Sequence, residues 1–403
     1  MFAKRTRWEM EPNRLTRALA AQRAAGVPVL DLAESNPTKC GFDYDGAAIL
    51  RALSNPAALT YHPDPRGLLS AREAVEKYYA ARDVHITPDD IFLTASTSEA
   101  YTYALRLLCD PGDAILIPTP SYPLFDYLAG IQDVEVARYR LFYDHGWQID
   151  FHALESAITD RTRAIVVVHP NNPTGHFCKP DEMRKVSEIC AARGLVLIAD
   201  EVFLDFTFPN QKTAPIPAPV PPCKTFASES PALTLVLNGL SKSCGLPQMK
   251  VAWMCVGGPE ELRRNAAARL EVIADTYLSL GTPAQLAVPT LLEGCHAFQH
   301  QVRARAQNNL AELDRQLASA KACTRLEVEG GWTVVLRVPA TRTDEDLALV
   351  LVEKKNVYVH PGHFYDFPGE GYLVTSLIVP EQDFRNGVAR LLELVDRGPW
   401  LQA

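Results

Sequence analysis

"NGLSKSCGLPQMKVAW", Asn238 to Trp253, sets Lys242 among Gly239, Ser241, Ser243 and Gly245, directly after the apolar run Leu233–Leu237. A lysine on a solvated surface has no need of small neighbours. One that must reach a ligand from a crowded turn at the end of a buried strand does. Outward from this stretch the same arrangement recurs. "IFLTA" (91–95), "AILIP" (114–118), "AIVVV" (164–168), "LVLIA" (195–199) and "VAWMCV" (251–256) are short runs, almost continuously apolar. Such runs suit strands covered on both faces, whereas half-buried strands alternate. Between them lie helix-length stretches such as 180–194, opened by Pro180 and closed by Gly194. Strand and helix in alternation give an α/β fold with a mostly parallel sheet.

The pattern changes after about Thr282. A long helical stretch to about Lys321 leads into "EGGWTVVLRVP", "NVYVHPG" and "GYLVTSLIVP", and an amphipathic helix from about Glu381 closes the chain. This predicts a smaller α+β domain at 284–403 beside a large α/β domain at 46–283, with residues 1–45 packing on the small domain. The proline-rich stretch 209–231 reads as a surface excursion. With 403 residues, 47% of them hydrophobic, more than one domain is expected. The net charge of −8, with no block of like charge, argues against a nucleic-acid surface. No run reaches membrane-spanning length, and the basic N-terminus lacks the apolar stretch of a signal peptide. Nine cysteines without a CxxC pair suggest reduced thiols, no disulfide frame and no metal site, hence a cytoplasmic protein.

In an open α/β sheet, ligands sit beyond the carboxyl ends of the strands. The residues just after each run are therefore informative. Ser96, Thr97 and Ser98 open a helix whose free N–H groups favour a phosphate. Tyr122 comes after the second run, Asn172 after the third, Asp200 after the fourth and Lys242 after the fifth. Each alone has an ordinary reading, as a cap, a packed ring, a turn, an ion-pair partner or a surface charge. Together and in this order they are specific.

With these residues, and with "LAESNPT" (32–38) and "YHPDPRGLLSAREAVEKYYA" (61–80), the sequence resembles the class I/II aminotransferases, pyridoxal-phosphate enzymes of fold type I. The resemblance implies a mostly parallel seven-stranded sheet in the large domain. It implies pyridoxal 5′-phosphate joined to Lys242 as a Schiff base, Asp200 on the pyridine nitrogen, Asn172 on the phenolic oxygen and Tyr122 on the ring face. Ser96, Thr97, Ser241 and Lys250 would hold the phosphate. Tyr61 would reach the phosphate of a neighbouring subunit, which implies a homodimer with shared sites. Ser35, Asn36 and Asn172 would meet the substrate.

Three positions depart from the family pattern. Lys250 replaces an arginine, keeping the charge and losing the planar fork. Phe203 replaces a tyrosine whose hydroxyl would donate to the phenolic oxygen. Val374 stands where an arginine would clamp the substrate carboxylate. Arg66, Arg337, His363 and Arg385 are the candidates to replace that arginine. The expected reaction is transfer of an amino group between an amino acid or amine and a 2-oxo acid. Because Val374 removes the usual clamp, decarboxylation, β- or γ-elimination and oxidation on the same fold stay open, as does a non-catalytic cofactor-binding homologue.

Overall fold

The computed structural model describes residues 1–208 and 224–396. Most of the excursion expected at 209–231 lies outside the described residues. Eight strands form the large sheet: β1 Ile91–Thr94, β2 Ala114–Thr119, β3 Glu135–Tyr143, β4 Trp147–Ile149, β5 Thr162–Val168, β6 Val196–Asp200, β7 Thr234–Gly239 and β8 Ala252–Gly257. Their order across the sheet is β1-β8-β7-β6-β5-β2-β3-β4. Strands β7, β6, β5, β2 and β3 are parallel neighbours, while β8 lies antiparallel between β7 and β1. All six apolar runs are strands.

The count of seven is corrected to eight, because the three-residue β4 folds back antiparallel on the end of β3. The direction of β8 has a simple cause. Residues 240–251 contain one helical turn, Leu240–Ser243, and a short 3-10 turn, too little chain for a crossover to a parallel neighbour. The link therefore closes like a hairpin, with Leu240 N–H donating to Val251 O at 3.0 Å.

Alternation along each strand sorts the core into two layers. Ala164, Val166, Ile198, Leu237 and Met254 face the helices Thr97–Leu108, Phe125–Ile131 and Glu260–Tyr277. Ile165, Val167, Leu197, Ala199 and Trp253 face the opposite layer, shared with Tyr79, Val186 and Ala287. The helix expected at 180–194 spans Pro180–Arg193, and Gly194 takes the left-handed φ of 65° that ends it. The long stretch expected from about Thr282 is two helices, Thr282–Glu293 and Cys295–Leu317, broken at Gly294.

A second sheet comes from the C-terminal third: β9 Thr324–Arg325, β10 Thr333–Arg337, β11 His360–Pro361 and β12 Tyr372–Ser376, in the order β9-β10-β12-β11, all antiparallel. Its core joins Val334, Leu336 and Leu373 to Val388 and Leu391 of the last helix, Glu381–Asp396. Leu15 and Leu32 of the N-terminal segment enter the same cluster, and Leu30–Asp31 pairs in parallel with Val357–Tyr358. Among the described residues, no helix is long and apolar enough to cross a membrane.

Candidate active site

Because β1, β2, β5, β6 and β7 run in one direction, their carboxyl ends share one edge of the large sheet. A cavity of about 670 Å³ opens along that edge, within the usual size of a small-molecule site. Thr97 and Ser98, Tyr122, Asn172, Asp200, and Ser241 with Lys242 line it, one group from each strand end. Ser35, Phe203 and Val374 line it too.

The turn that presents Lys242 needs its small residues. Gly239 passes so close to β8 that a Cβ there would lie 2.8 Å from the Ala252 Cα. Gly245 has φ of 66°, and a Cβ on it would run into the Phe298 ring. Tyr44 O–H donates to the Gly245 carbonyl at 2.9 Å and ties the turn down. Beneath it runs a buried polar chain. Ser243 Oγ donates to Asn238 Oδ1 at 3.2 Å, and Asn238 Nδ2 donates to Tyr78 Oη at 3.1 Å. Tyr78 O–H reaches Asp205, which is paired with Arg82.

Lys242 Nζ lies 4.9 Å from the Trp332 ring centre and 5.5 Å from that of Phe203. It makes no hydrogen bond or ion pair among the described residues. Burial pulls its pKa down to about 8, against the opposing influence of Asp200 and Cys40. Asp200 accepts from Tyr101 O–H at 3.1 Å and Val202 N–H at 3.2 Å. Burial lifts its pKa to about 6 in spite of those donors and Lys242. Asn172 Oδ1 is buried with no partner. Phe203 packs edge-on against Trp332, with ring centres 5.3 Å apart.

Four of the expected site residues are not among those lining this cavity. Ser96 spends its hydroxyl as a helix cap, accepting from Glu99 N–H at 3.2 Å, so the hydroxyls facing the cavity at that terminus belong to Thr97 and Ser98. Asn36 caps its own short turn, accepting from Thr38 N–H at 3.1 Å and Oγ1 at 2.8 Å. Lys250 is exposed at a left-handed φ of 53°. Tyr61 is 70% exposed and lines a separate small recess with His62 and Leu278.

None of the candidates for the missing arginine lines the cavity either. Arg66 is taken by Glu271 at 2.7 Å, Arg337 by Tyr372 and Arg385 by Glu312 at 3.4 Å, while His363 is exposed. Two residues were missed by sequence reasoning. Tyr101 was legible in principle, being four residues from Thr97 on the same helix face. Trp332 comes from the other sheet, and no local pattern announces it.

One trio of metal-ligand types occurs among the described residues, His176, Cys178 and Glu182, with ligand atoms within 4.8 Å. Its carboxylate is already engaged by Ile149 N–H, Lys179 N–H and the His176 ring.

Lys242, Asp200 and Asn172 thus stand at three adjacent strand ends of one α/β sheet, on a single cavity. A family model described as aminotransferase class I and II matches residues 28–391, and the chain belongs to that family. Among its relatives is the glutamate-pyruvate aminotransferase AlaA of Escherichia coli K12, 31% identical over 270 residues, 67% of this chain and 64% of that one. The chain thus matches somewhat less than two thirds of that relative's length. The alanine aminotransferase of Mycobacterium tuberculosis H37Rv is 28% identical over 386 residues, 92% of this chain and 86% of the relative. Among solved structures, an aminotransferase from Escherichia coli superposes with a TM-score of 0.86 at 23% identity over 98% of both chains. An alanine aminotransferase from Pyrococcus furiosus gives 0.84 at 23% identity, over 98% of this chain and 100% of that one. The cofactor of this family is pyridoxal 5′-phosphate. The Asn172 amide, the partnerless Lys242 amine and the open helix terminus at Thr97 line one cavity and fit it.

Proposed function

We propose that the protein is a pyridoxal 5′-phosphate-dependent aminotransferase, moving an amino group between an amino acid or amine and a 2-oxo acid. The observation that supports this most strongly is the placement of Lys242 Nζ, without a partner, on the same cavity as Asp200 and Asn172. When bound, the cofactor supplies an electron sink for the charge left at the substrate's α-carbon. The chain's own residues do the rest. Lys242 Nζ is the covalent anchor. Once a substrate amine has displaced it, its depressed pKa would leave a larger share of free base near pH 8 than an ordinary lysine has, to take the α-proton and return it to the cofactor carbon that had carried the lysine. Asp200, oriented by Tyr101 and Val202, holds the proton on the ring nitrogen. Asn172 meets the phenolic oxygen, and Tyr122 covers the ring face. Thr97, Ser98 and Ser241 receive the phosphate. Ser35 borders the substrate side.

The same reading proposes a homodimer, in which Tyr61 of one copy completes the phosphate site of the other, and a cytoplasmic location. It also divides the chain at 45/46 and 283/284. The names of the relatives suggest small amino acids and 2-oxo acids as partners. The test mixes cofactor-loaded protein with a panel of amino acids and amines and no oxo acid. An aminotransferase loses its cofactor absorbance once, in proportion to protein, and releases one carbonyl product per site. Repeated release of ammonia or carbon dioxide would mark a lyase or decarboxylase instead. Lys242→Ala should lower the rate by three orders of magnitude or more, roughly the range lost with other covalent nucleophiles.

A further inference from the structure

Val374 stands where the family pattern expects a carboxylate-clamping arginine, and strand pairing shows what lies beside it. Val374 is opposite His360 on β11 and opposite Val335 on β10. Residues directly opposite in antiparallel strands share a face, with Cβ atoms about 5 Å apart. Val335 and Val374 join the core layer beneath the large sheet, whereas Val334 and Leu373 point into the small-domain core. His360 therefore stands on the face that meets the large domain, and together with Val374 it lines the cavity.

The His360 ring is held in place. Tyr358, Phe364 and Tyr365 pack around it, with ring centres 5.5, 5.6 and 5.9 Å away. Its Nδ1 meets the Tyr365 hydroxyl at 2.9 Å. That nitrogen is the one acceptor the hydroxyl has among the described residues. The hydroxyl therefore donates, and the proton of the neutral ring sits on Nε2. Nε2 has no partner among the described residues, and the side chain keeps part of its surface open. Burial alone holds the pKa of the ring near 4. The charged groups that share the cavity are Asp200 and Lys242, both committed to the cofactor in the aminotransferase reading. A carboxylate against the ring raises its pKa. Neutral or protonated, the ring offers a donor at Nε2.

We propose that His360 meets the substrate carboxylate, donating from Nε2 in place of the arginine missing at Val374, with Tyr365 orienting the ring. The inference rests on the aminotransferase reading. One imidazole N–H gives a single directed hydrogen bond where a guanidinium fork gives two. The carboxylate is therefore held by one nitrogen whose direction Tyr365 fixes.

The experiment uses cofactor-loaded protein and follows single conversion of the cofactor by alanine, glutamate, leucine and phenylalanine over a range of concentrations. Each amino acid that converts the cofactor gives an apparent Kd and a limiting rate. His360→Leu should raise that Kd at least about tenfold, the worth of a hydrogen bond to a charged group, and change the limiting rate less. His360→Gln keeps an N–H donor at similar reach and should recover most of the loss. Tyr365→Phe frees the ring to turn and should raise the Kd about threefold to tenfold. Ethylamine, isopentylamine and phenethylamine match three of the donors but lack the carboxylate, and calorimetry gives their affinities. These should stay within about twofold between wild type and His360→Leu, since no hydrogen bond is lost; a merely structural role for the ring would weaken both sets. An unchanged Kd in His360→Leu, or amine affinity lost in step with that of the amino acids, overturns the proposal. Should no amino acid convert the cofactor in wild type, the aminotransferase reading itself fails. If His360→Leu does not fold, His360→Asn, whose amide stops short of the Nε2 position, carries the same expectation.

Discussion

Lys242 is held in a state that costs stability until the cofactor arrives. Its pKa falls from 10.5 to about 8 on burial, a shift worth on the order of 3 kcal/mol. Below pH 8 the amine is charged in both folded and unfolded chains, so the full penalty is present. Between pH 8 and 10.5 the unfolded chain keeps the proton and the folded one does not, so stability rises with pH across that window. Urea denaturation of cofactor-free protein should show this rise, and Lys242→Met should remove it. A rise of equal size in the variant would mean that another group is responsible. Phe203 makes a second prediction. Its ring is buried edge-on against Trp332 and offers no donor where a tyrosine hydroxyl would. The linkage between Lys242 and the cofactor should therefore hold its proton to higher pH. Absorbance titration should give Phe203→Tyr a lower pKa than wild type, by about half a unit to one unit for one hydrogen bond. An equal or higher value in the variant contradicts this.

Elements were legible where burial leaves a mark on the sequence. The six apolar runs are strands because both of their faces are covered. Strand β3 escaped because Glu135, Arg138 and Arg140 break its run, several of its positions being open to solvent. The direction of β8 was not carried by its apolar pattern, which is blind to polarity; the short link 240–251 carried it. The strand-end groups of the site were legible because parallel strands place them on one edge. Side-chain commitments were not: Ser96 is a cap, and Lys250 turns to solvent. Support for the turn at Lys242 was equally hidden, since Tyr78 and Asp205, which tie Asn238 and Ser243 down, come from distant segments. Tyr78→Phe leaves Asn238 Nδ2 without its acceptor. It should lower stability by about 1–3 kcal/mol, the cost of a buried unpaired group, seen as a lower denaturation midpoint. An unchanged midpoint would show that the chain of bonds does not hold the turn.

For the whole molecule, the surface that carries Tyr61 is the feature to explain. Leu50 is 65% exposed, Leu59 92%, Tyr61 70% and Leu69 51%, a run of apolar side chains that a second copy would cover. Light scattering should give twice the 44.5 kDa of one chain. Tyr61→Phe should weaken cofactor affinity while leaving the dimer intact, and a monomer with full affinity would refute the shared site. The claim beneath all of these is the covalent anchoring of the cofactor at one amine. Borohydride reduction of the cofactor-loaded protein, then peptide mapping, should place the pyridoxyl mass on Lys242. A pyridoxyl group on any other lysine, or on none, would contradict the account.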